Sequence, residues 1–404
     1  QDGPTYLGAV GDIAIGTLTT DHHQYSESLT KKSGFLSSKK THKVEEGWAT
    51  LQEGSTVEGA SVTVHSGGNL KVTGSAVVAD NQVKLEAAGD IDLLAAENTA
   101  SGDSHKEVTK SGLLASGLTL TVGKQQTRTD HTQTSTQAVQ SQIGSLQGNV
   151  DIDAGGTYRQ TGSQLAAQGD IDVDAERIEI TEARELNLDE LETRFKQSGL
   201  SIGLSGGIIG TAQNIVQYAG TVGNTDGSRR LGNLVMALDD MTTAKKTAAA
   251  MKNAYAEEGV EGAAKASGVS ANISIGTAKS ESKQVLDSDQ AYGSTVAAGG
   301  NVTFVAQGDG EASNILIRGT DVDAGGVVRL KADNLVSIEA ARNVTQQASE
   351  NKSSSASVGV SIGATGVNVN ASASYARGQA DGESLAWSNS HVTGNQGVTI
   401  ETGG

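Results

Sequence analysis

The side chains that could do chemistry are carboxylates placed two residues apart. Three sets alternate with aliphatic residues, namely Asp90/Asp92, Asp151/Asp153 and Asp170/Asp172/Asp174. Carboxylates two apart on a strand share one face, as glycoside cleavage or Ca²⁺ binding requires. These sets recur with the surrounding repeat, whereas a catalytic site occurs once, which favours a solvated outer face. Calcium between stacked Asp rows stays an alternative, although the GGxGxDx calcium repeat is absent.

Other candidate motifs are weaker. His22 and His23 are adjacent, so on a strand they point to opposite faces and form a poor zinc site. The glycine-rich stretch 203–210 lacks the lysine of a phosphate-binding loop. We therefore assign no catalytic, cofactor-binding or metal residue. A polysaccharide-active enzyme is the least favoured alternative, because it needs one concave carboxylate cluster and aromatic platforms, and the chain has only 3% aromatic residues.

The composition favours an elongated β structure over a compact globule. Of 404 residues, 36% are hydrophobic and 52 are glycine, with a single proline. Alternation of Val and Ile with polar residues indicates strands rather than disorder.

Charge and termini exclude several classes of protein. The net charge of −17 disfavours a nucleic-acid partner. The chain has no cysteine, no apolar run of transmembrane length and no signal peptide at its start. Because it ends within a repeat, the sequence favours a piece of a longer protein.

Short units of Gly, polar, aliphatic, polar, aliphatic recur along the chain. They include "GDIDLLAAENT" at 89–99, "GDIDVDAERIEITEARE" at 169–185 and "NLVSIEAARNVTQ" at 334–346. Stacked coils would bury the aliphatic faces, and Gly and Asn suit the corners because both tolerate positive φ. The predicted fold is all-β: a parallel β-helix (solenoid), right-handed by the general crossover preference. Some 300 residues in coils would make a rod on the order of 70 Å long.

A longer repeat overlies the short one. Ser33, Ser111 and Ser198 mark copies 78 and 87 residues apart, and Ser353 follows after 155. Each copy has two alternating polar stretches around a Gly, which predicts β-hairpins protruding from the coils. The segment 355–378 alternates Val and Ile with Ser, Gly and Asn, which predicts an ordinary hairpin lying along the rod; its weak resemblance to a membrane hairpin with one lipid face makes engagement of a target outer membrane the alternative.

The period changes to 3.6 within 207–265. Leu231, Leu234, Val235 and Leu238 share one helical face, which predicts one α-helical insertion packed beside the β-helix. A membrane-binding helix is disfavoured by its acidic residues. The predicted organisation is β-helix over 1–206, helical insertion over 207–265 and continued β-helix over 266–404.

The block "SGLSIGLSGGIIGTAQNIVQYAG", followed by "RRLGNLVMALDDM", "GVSANISIGTAKSESK" and "STVAAGGNVTFVAQG", resembles the second haemagglutinin-repeat region of contact-dependent growth-inhibition effectors. These belong to the filamentous haemagglutinin-type exoproteins of two-partner secretion. The resemblance implies a secreted, cell-surface β-helical filament, exported through the periplasm by an outer-membrane transporter.

The resulting hypothesis is a non-catalytic filament segment that acts as stalk and delivery apparatus for a C-terminal toxin. Engagement of a target-cell outer membrane or receptor is part of this hypothesis, as is a monomeric rod without nucleic acid or cofactor. The main alternative is an adhesin (haemagglutinin) stalk that only attaches surfaces.

Overall fold

The computed structural model describes residues 3–34, 36–116, 119–205, 270–363 and 366–403, most of which lie in β-strands. The predicted helical insertion over 207–265 lies outside these residues and stays a prediction. Helix within the described ranges is limited to a 3-10 turn at Gly310–Ala312. None of the described helix is long and apolar enough to cross a membrane.

Twenty of the strands form three parallel ladders, here called walls 1, 2 and 3. Wall 1 contains the first parts of β5 (Thr56–Ser66) and β7 (Ala76–Ala87), then β11 (Gln142–Ser145), β14 (Gln164–Ala167), β19 (Thr295–Ala298), β22 (Asp321–Ala324) and β27 (His391–Gly394). Wall 2 contains β1 (Thr5–Ala9), the later parts of β5 and β7, then β12 (Val150–Ala154), β15 (Ile171–Ala175), β20 (Val302–Ala306), β23 (Val327–Ala332) and β28 (Gly397–Thr402). Wall 3 contains β2 (Ile13–Ile15), β6 (Leu70–Thr73), β8 (Ile91–Leu94), β13 (Thr157–Thr161), β16 (Arg177–Thr181), β21 (Asn314–Arg318) and β24 (Leu335–Glu339).

Each coil passes through the three walls in turn, which confirms the predicted parallel β-helix. In the coil formed by β14, β15 and β16, the fully buried side chains are Leu165, Ile171, Val173, Ile178 and Ile180. Residues between them point outward, so the period-two pattern of the sequence places one face inside. Each buried Val, Leu or Ile contributes about 1.5–3 kcal/mol. The interior therefore depends on aliphatic side chains of similar size stacked coil upon coil.

Side chains of Asp and Asn form ladders at two corners. Each carboxylate or amide oxygen accepts a hydrogen bond from a backbone N–H of the next coil. The corner between walls 2 and 3 has Asp12 to Asn69 (2.7 Å), Asn69 to Asp90 (2.9 Å) and Asp90 to Thr157 (2.8 Å). The corner between walls 1 and 2 has Asn149 to Asp170 (2.9 Å), Asp170 to Asn301 (2.6 Å) and Asn301 to Val327 (2.9 Å).

The glycine that precedes these Asp and Asn residues makes room for the ladder. A Cβ on Gly89 would stand 2.2 Å from Asn69 Oδ1, and one on Gly169 would stand 2.1 Å from Asn149 Oδ1. No non-glycine residue of the described chain has positive φ. The prediction that Asn serves the corners by tolerating positive φ is therefore wrong, because its role is to satisfy backbone N–H groups of the neighbouring coil.

The remaining eight strands form four hairpins that leave the coils after wall 3 and return to wall 1. The hairpins are β3/β4 (Thr17–Ser33, Ser37–Gly54), β9/β10 (Ala96–Ser116, Thr119–Val139), β17/β18 (Ala183–Ser205, Ser270–Tyr292) and β25/β26 (Ala341–Gly363, Gly366–Ser388). They pair with one another in the order β26-β25-β18-β17-β10-β9-β4-β3. We call this antiparallel assembly the hairpin sheet; it confirms the predicted protruding hairpins.

The hairpin sheet is continuous because two spacings agree. Successive hairpins are separated by two coils, which rise about 9.6 Å together. One hairpin is two strands wide, which also amounts to about 9.6 Å. Each hairpin therefore meets the next without gap or overlap. The hairpins take up so many residues that the described chain has eight coils, about 38 Å of rise, so the predicted 70 Å was too long.

Candidate functional site

The inner half of the hairpin sheet, next to the coils, is a charged surface held by cross-strand ion pairs. Lys283 Nζ lies 2.6 Å from Glu190 Oε1, and Arg184 Nη2 lies 2.7 Å from Asp289 Oδ1. Both pairs join neighbouring strands and are largely solvated, so each contributes at most about 1 kcal/mol. Charge on this half is balanced by its own neighbours.

Histidines of the hairpin sheet and of the coils also pair with carboxylates. Six of the seven lie beside a carboxylate: His23–Glu46, His42–Glu27, His65–Glu86, His105–Asp130, His131–Asp189 and His391–Asp321. The hydrogen bond from His42 lowers the pKa of Glu27. His23 also stacks on Trp48 with ring centroids 3.7 Å apart, away from the adjacent His22. Within the described ranges no cluster of three His, Cys, Asp or Glu could hold a metal ion.

A row of glycines crosses the hairpin sheet further out. Gly112, Gly123, Gly199 and Gly276 are paired in register on four successive strands. A Cβ on Gly123 would stand 2.1 Å from the carbonyl oxygen of Ser198. Neighbouring backbones thus approach too closely for any side chain, and Gly112 has φ +100. This row separates the charged half of the sheet from a different surface beyond it.

Beyond the glycine row, one face of the sheet is apolar, and we call its two described rows the apolar rows. The first contains Leu113, Val122, Leu200, Ile275 and Val358, and the second Leu120, Ile202, Ile273, Val360 and Val369. Most of these side chains are exposed, Ile275 by 64% and Val369 by 78%. Residues between the rows are Ser, Thr, Gly or Asn on five of the six strands, for example Thr121 and Ser274, and Leu114 on β9.

The apolar rows include part of the segment 355–378, for which a membrane hairpin was the alternative interpretation. The segment 355–378 is a hairpin whose arms pair from Ala341↔Ser388 to Gly363↔Gly366. Val358 pairs with Ile275 of the preceding hairpin, and Ile275 with Leu200. Sequence reasoning singled out one hairpin where the structure places three in register. The available signal was the same aliphatic-polar-aliphatic order next to a glycine, before Gly123, after Gly199 and before Gly276.

The alignment of the hairpin copies needs one correction. Ser33, Ser111 and Ser198 lie in one register row, through Ser38 and Lys124 on the intervening strands. Ser353 lies elsewhere, because it pairs with Ser280. The residue equivalent to Ser198 in the last hairpin is Ala356, which pairs with Thr277.

The carboxylate candidates lie on the outside of the coils. Asp92 and Asp90 both approach Arg159 Nη1, at 3.1 and 3.2 Å. Asp151 pairs in register with Asp172, and Asp153 with Asp174, on adjacent coils. Burial first, then neighbouring carboxylates, raises the pKa of Asp172 and Asp174. Asp170 serves one corner ladder, and Asp90 serves the other with Oδ1 while its Oδ2 approaches Arg159. The structure therefore divides the candidates between ladder and outer wall rather than gathering them in one cleft.

Comparison with known proteins identifies the repeats. The family model described as hemagglutinin repeat matches residues 33–130, 120–233 and 273–404. The chain is 36% identical over 400 residues to "tRNA nuclease CdiA" of Escherichia coli (strain NC101), which covers 96% of this chain and 12% of that protein. It is 34% identical over 362 residues to "16S rRNA endonuclease CdiA" of Enterobacter cloacae subsp. cloacae, covering 88% of this chain and 10% of that protein.

A third relative is "tRNA nuclease CdiA-2" of Burkholderia pseudomallei (strain 1026b), 30% identical over 404 residues, which are 99% of this chain and 13% of that protein. The chain thus spans about an eighth of the length of these relatives. The predicted resemblance is confirmed: the chain belongs to the hemagglutinin-repeat family and is similar to one region of CdiA proteins.

Proposed function

We propose that the chain is a non-catalytic filament segment of a large secreted exoprotein of contact-dependent growth inhibition, and that it helps to deliver a C-terminal toxin. Relatives named for two different nucleases, acting on tRNA and on 16S rRNA, share this region at 34–36% identity. A region common to proteins with different named activities supports a task common to all of them. Transport of the toxin to the neighbouring cell is such a task.

The observation that carries the delivery role is the pair of apolar rows. Ten aliphatic side chains lie in register on six strands, and most are exposed to solvent. Contiguous exposed apolar surface of this kind marks contact with a membrane or a partner. The hairpin sheet satisfies backbone hydrogen bonds between its strands, so apart from its edge strands only side chains need a change of surroundings. We infer that the apolar rows engage the outer membrane of the target cell.

The surroundings of the chain follow from the same proposal. An outer-membrane two-partner secretion transporter exports the parent protein through the periplasm to the cell surface, where this segment acts as a monomeric rod. The net charge of −17 supports a partner other than nucleic acid. The helical insertion over 207–265 completes the proposed organisation, with β-helix before and after it.

The test replaces two residues of the second apolar row in the full-length effector, with a matched control nearer the coils; the first is called the tip variant. The tip variant is Ile202→Thr/Ile273→Thr, at positions 42% and 41% exposed. The control is Leu186→Thr/Leu286→Thr, on the same two strands but in the inner half of the sheet, at positions 47% and 39% exposed. Inhibitor cells displaying equal amounts of each protein are mixed with target cells, and cell–cell attachment and target viability are measured.

We expect the tip variant to attach targets as the unmodified protein does but to kill at least tenfold fewer of them, while the control behaves like the unmodified protein. Full killing by the tip variant would overturn the proposal. If the tip variant loses both attachment and killing, the proposal is also contradicted. The apolar rows would then act in adhesion, as the haemagglutinin-stalk alternative requires.

A further inference from the structure

Lysines gather in one band of the hairpin sheet, between the ion-paired half and the apolar rows. We call this band the lysine belt: Lys31, Lys32, Lys39, Lys40, Lys110, Lys124, Lys196 and Lys279. From the belt outward, the described strand segments 30–41, 108–127, 195–205, 270–280, 353–363 and 366–376 contain no Asp or Glu. In a chain with a net charge of −17, the described outer part of every hairpin is thus neutral or positive.

The belt places like charges directly opposite each other. Lys32 pairs in register with Lys39, and Lys39 with Lys110. Lys196 pairs with Lys279 in the same way. Like-charged cross-strand pairs destabilise a sheet, and among the described residues none of the belt lysines has an ion-pair partner. The inner half shows the opposite arrangement, so the belt has positive charge that the chain itself leaves uncompensated.

Three of these lysines line a shallow groove on the face that carries the apolar rows. Lys124, Lys196 and Lys279 surround it, with Ser198 and Thr277 between them. Residues two apart on a strand share a face; thus Lys196 shares its face with Leu200 and Ile202 of the apolar rows. Ammonium groups beside hydroxyl groups are donors suited to phosphate oxygens.

We propose that the lysine belt binds the phosphate groups of an anionic lipid surface while the apolar rows enter the acyl region beneath them. The proposal rests on the membrane engagement proposed above and adds the chemistry of the lipid. Lys196 and Ile202 are six residues apart, about 20 Å along the strand. One leaflet, counted from the bilayer midplane to the outside of its headgroup region, is about 20–22 Å thick. Lysines at the phosphate level therefore place the described apolar rows within one leaflet.

The test uses the full 404-residue chain and sedimentation with vesicles of phosphatidylcholine, alone or mixed with phosphatidylglycerol. The belt variant is Lys124→Gln/Lys196→Gln/Lys279→Gln, and the matched control is Lys71→Gln/Lys106→Gln/Lys331→Gln, which removes the same charge from exposed sites elsewhere. We expect the unmodified chain to bind the mixed vesicles. The belt variant should bind them roughly a hundredfold more weakly, since each of the three lysines contributes about a fivefold factor in affinity. The control retains the affinity of the unmodified chain.

The outcomes separate the two proposals. Equal binding to both vesicle types, unchanged in the belt variant, overturns the phosphate role and leaves membrane engagement standing. Binding to neither vesicle overturns both. Heparin serves as a competing polyanion. If heparin displaces the chain from mixed vesicles, and the chain shows no preference for vesicles that contain phosphatidylglycerol, the belt is a general polyanion site and the lipid assignment is overturned.

Discussion

Asp90 occupies the space that Gly156 of the next coil leaves free: its Oδ1 would lie 2.5 Å from a Cβ built on that glycine. The same oxygen accepts a hydrogen bond from the backbone N–H of Thr157 at 2.8 Å. We expect Gly156→Ala to lower the free energy of unfolding by about 1–3 kcal/mol through overpacking. Asp90→Ala should cost a similar amount, about 1–3 kcal/mol, because a backbone donor loses its acceptor. Guanidinium unfolding followed by circular dichroism measures both.

The double variant Asp90→Ala/Gly156→Ala provides the decisive comparison. Without the carboxylate, the nearest remaining atom to the new Cβ is Gly89 C at 3.4 Å, an ordinary contact. The double variant should therefore be no less stable than Asp90→Ala alone. Asp153→Ala, on the outer wall, serves as the control and should change little. Additive losses in the double variant would contradict the proposed role of the glycine.

A polar group buried in the core ties three coils together. Gln160 Nε2 donates to the carbonyl oxygens of Ser163 at 2.8 Å and Thr295 at 3.1 Å, and Gln160 Oε1 accepts from Tyr158 Oη at 3.0 Å. Burial raises the pKa of Tyr158, so its hydroxyl stays a donor. We expect Gln160→Leu to lower the unfolding free energy by at least about 2 kcal/mol, and Tyr158→Phe by about 1 kcal/mol. Equal denaturation midpoints for the two variants would refute this ranking.

Asp174 should destabilise the fold at neutral pH. Burial, Asp153 and Asp172 raise its pKa above the ordinary 3.8. A carboxyl group with a raised pKa contributes its stability below the ordinary value and loses it as pH rises through the raised one. Asp174→Asn should therefore increase the unfolding free energy at neutral pH and give no gain below pH 3.8. Asp92→Asn, which weakens the contact with Arg159, should lower the unfolding free energy at neutral pH. A higher unfolding free energy for Asp92→Asn would contradict the distinction between the Arg-paired Asp92 and Asp174.

The agreement between two coils and one hairpin predicts which deletions the fold accepts. Removal of residues 141–162 takes out one coil, so the hairpins at β9/β10 and β17/β18 would be about 4.8 Å apart where about 9.6 Å is needed. We expect this deletion to separate the hairpin sheet, with early proteolytic cleavage in the hairpins and a lower Tm.

Removal of residues 96–182 is the matched control, because it takes out one hairpin with two coils and joins Ala95 to Ala183. Ala183 is the counterpart of Ala96 at the start of a hairpin. This larger deletion should retain protease resistance and a cooperative melt. A stable one-coil deletion would show that the two spacings are not coupled.

Much of the coil could be predicted because a strand with one buried face must alternate at period two. Ile171 and Val173 carry that signal directly, and both are buried. The corner ladders could not be predicted in the same way. The partner of Asp170 is Asn301, 131 residues away, and only the three-dimensional stacking brings the two together.

The hairpins were predicted from their polar composition, but their assembly into one sheet was not. Exposed strands with polar residues on both faces give little register information. Leu200, Ile275 and Val358 belong to different strands of two hairpins, so the apolar rows become visible only after the register is known. The carboxylate pairs show the opposite case. The spacing of Asp90 and Asp92 in the sequence suggests a catalytic or metal site, but in the structure these side chains are shared between a corner ladder and Arg159.

Because the width of one hairpin equals the rise of two coils, the fold accepts gene rearrangements of one particular length. Duplication or loss of an 87-residue module, the distance from Ala96 to Ala183, changes both lattices by a whole number of rungs and disturbs neither. Recombination between such modules within one gene would therefore yield folded products that differ in their number of coils while every junction stays the same.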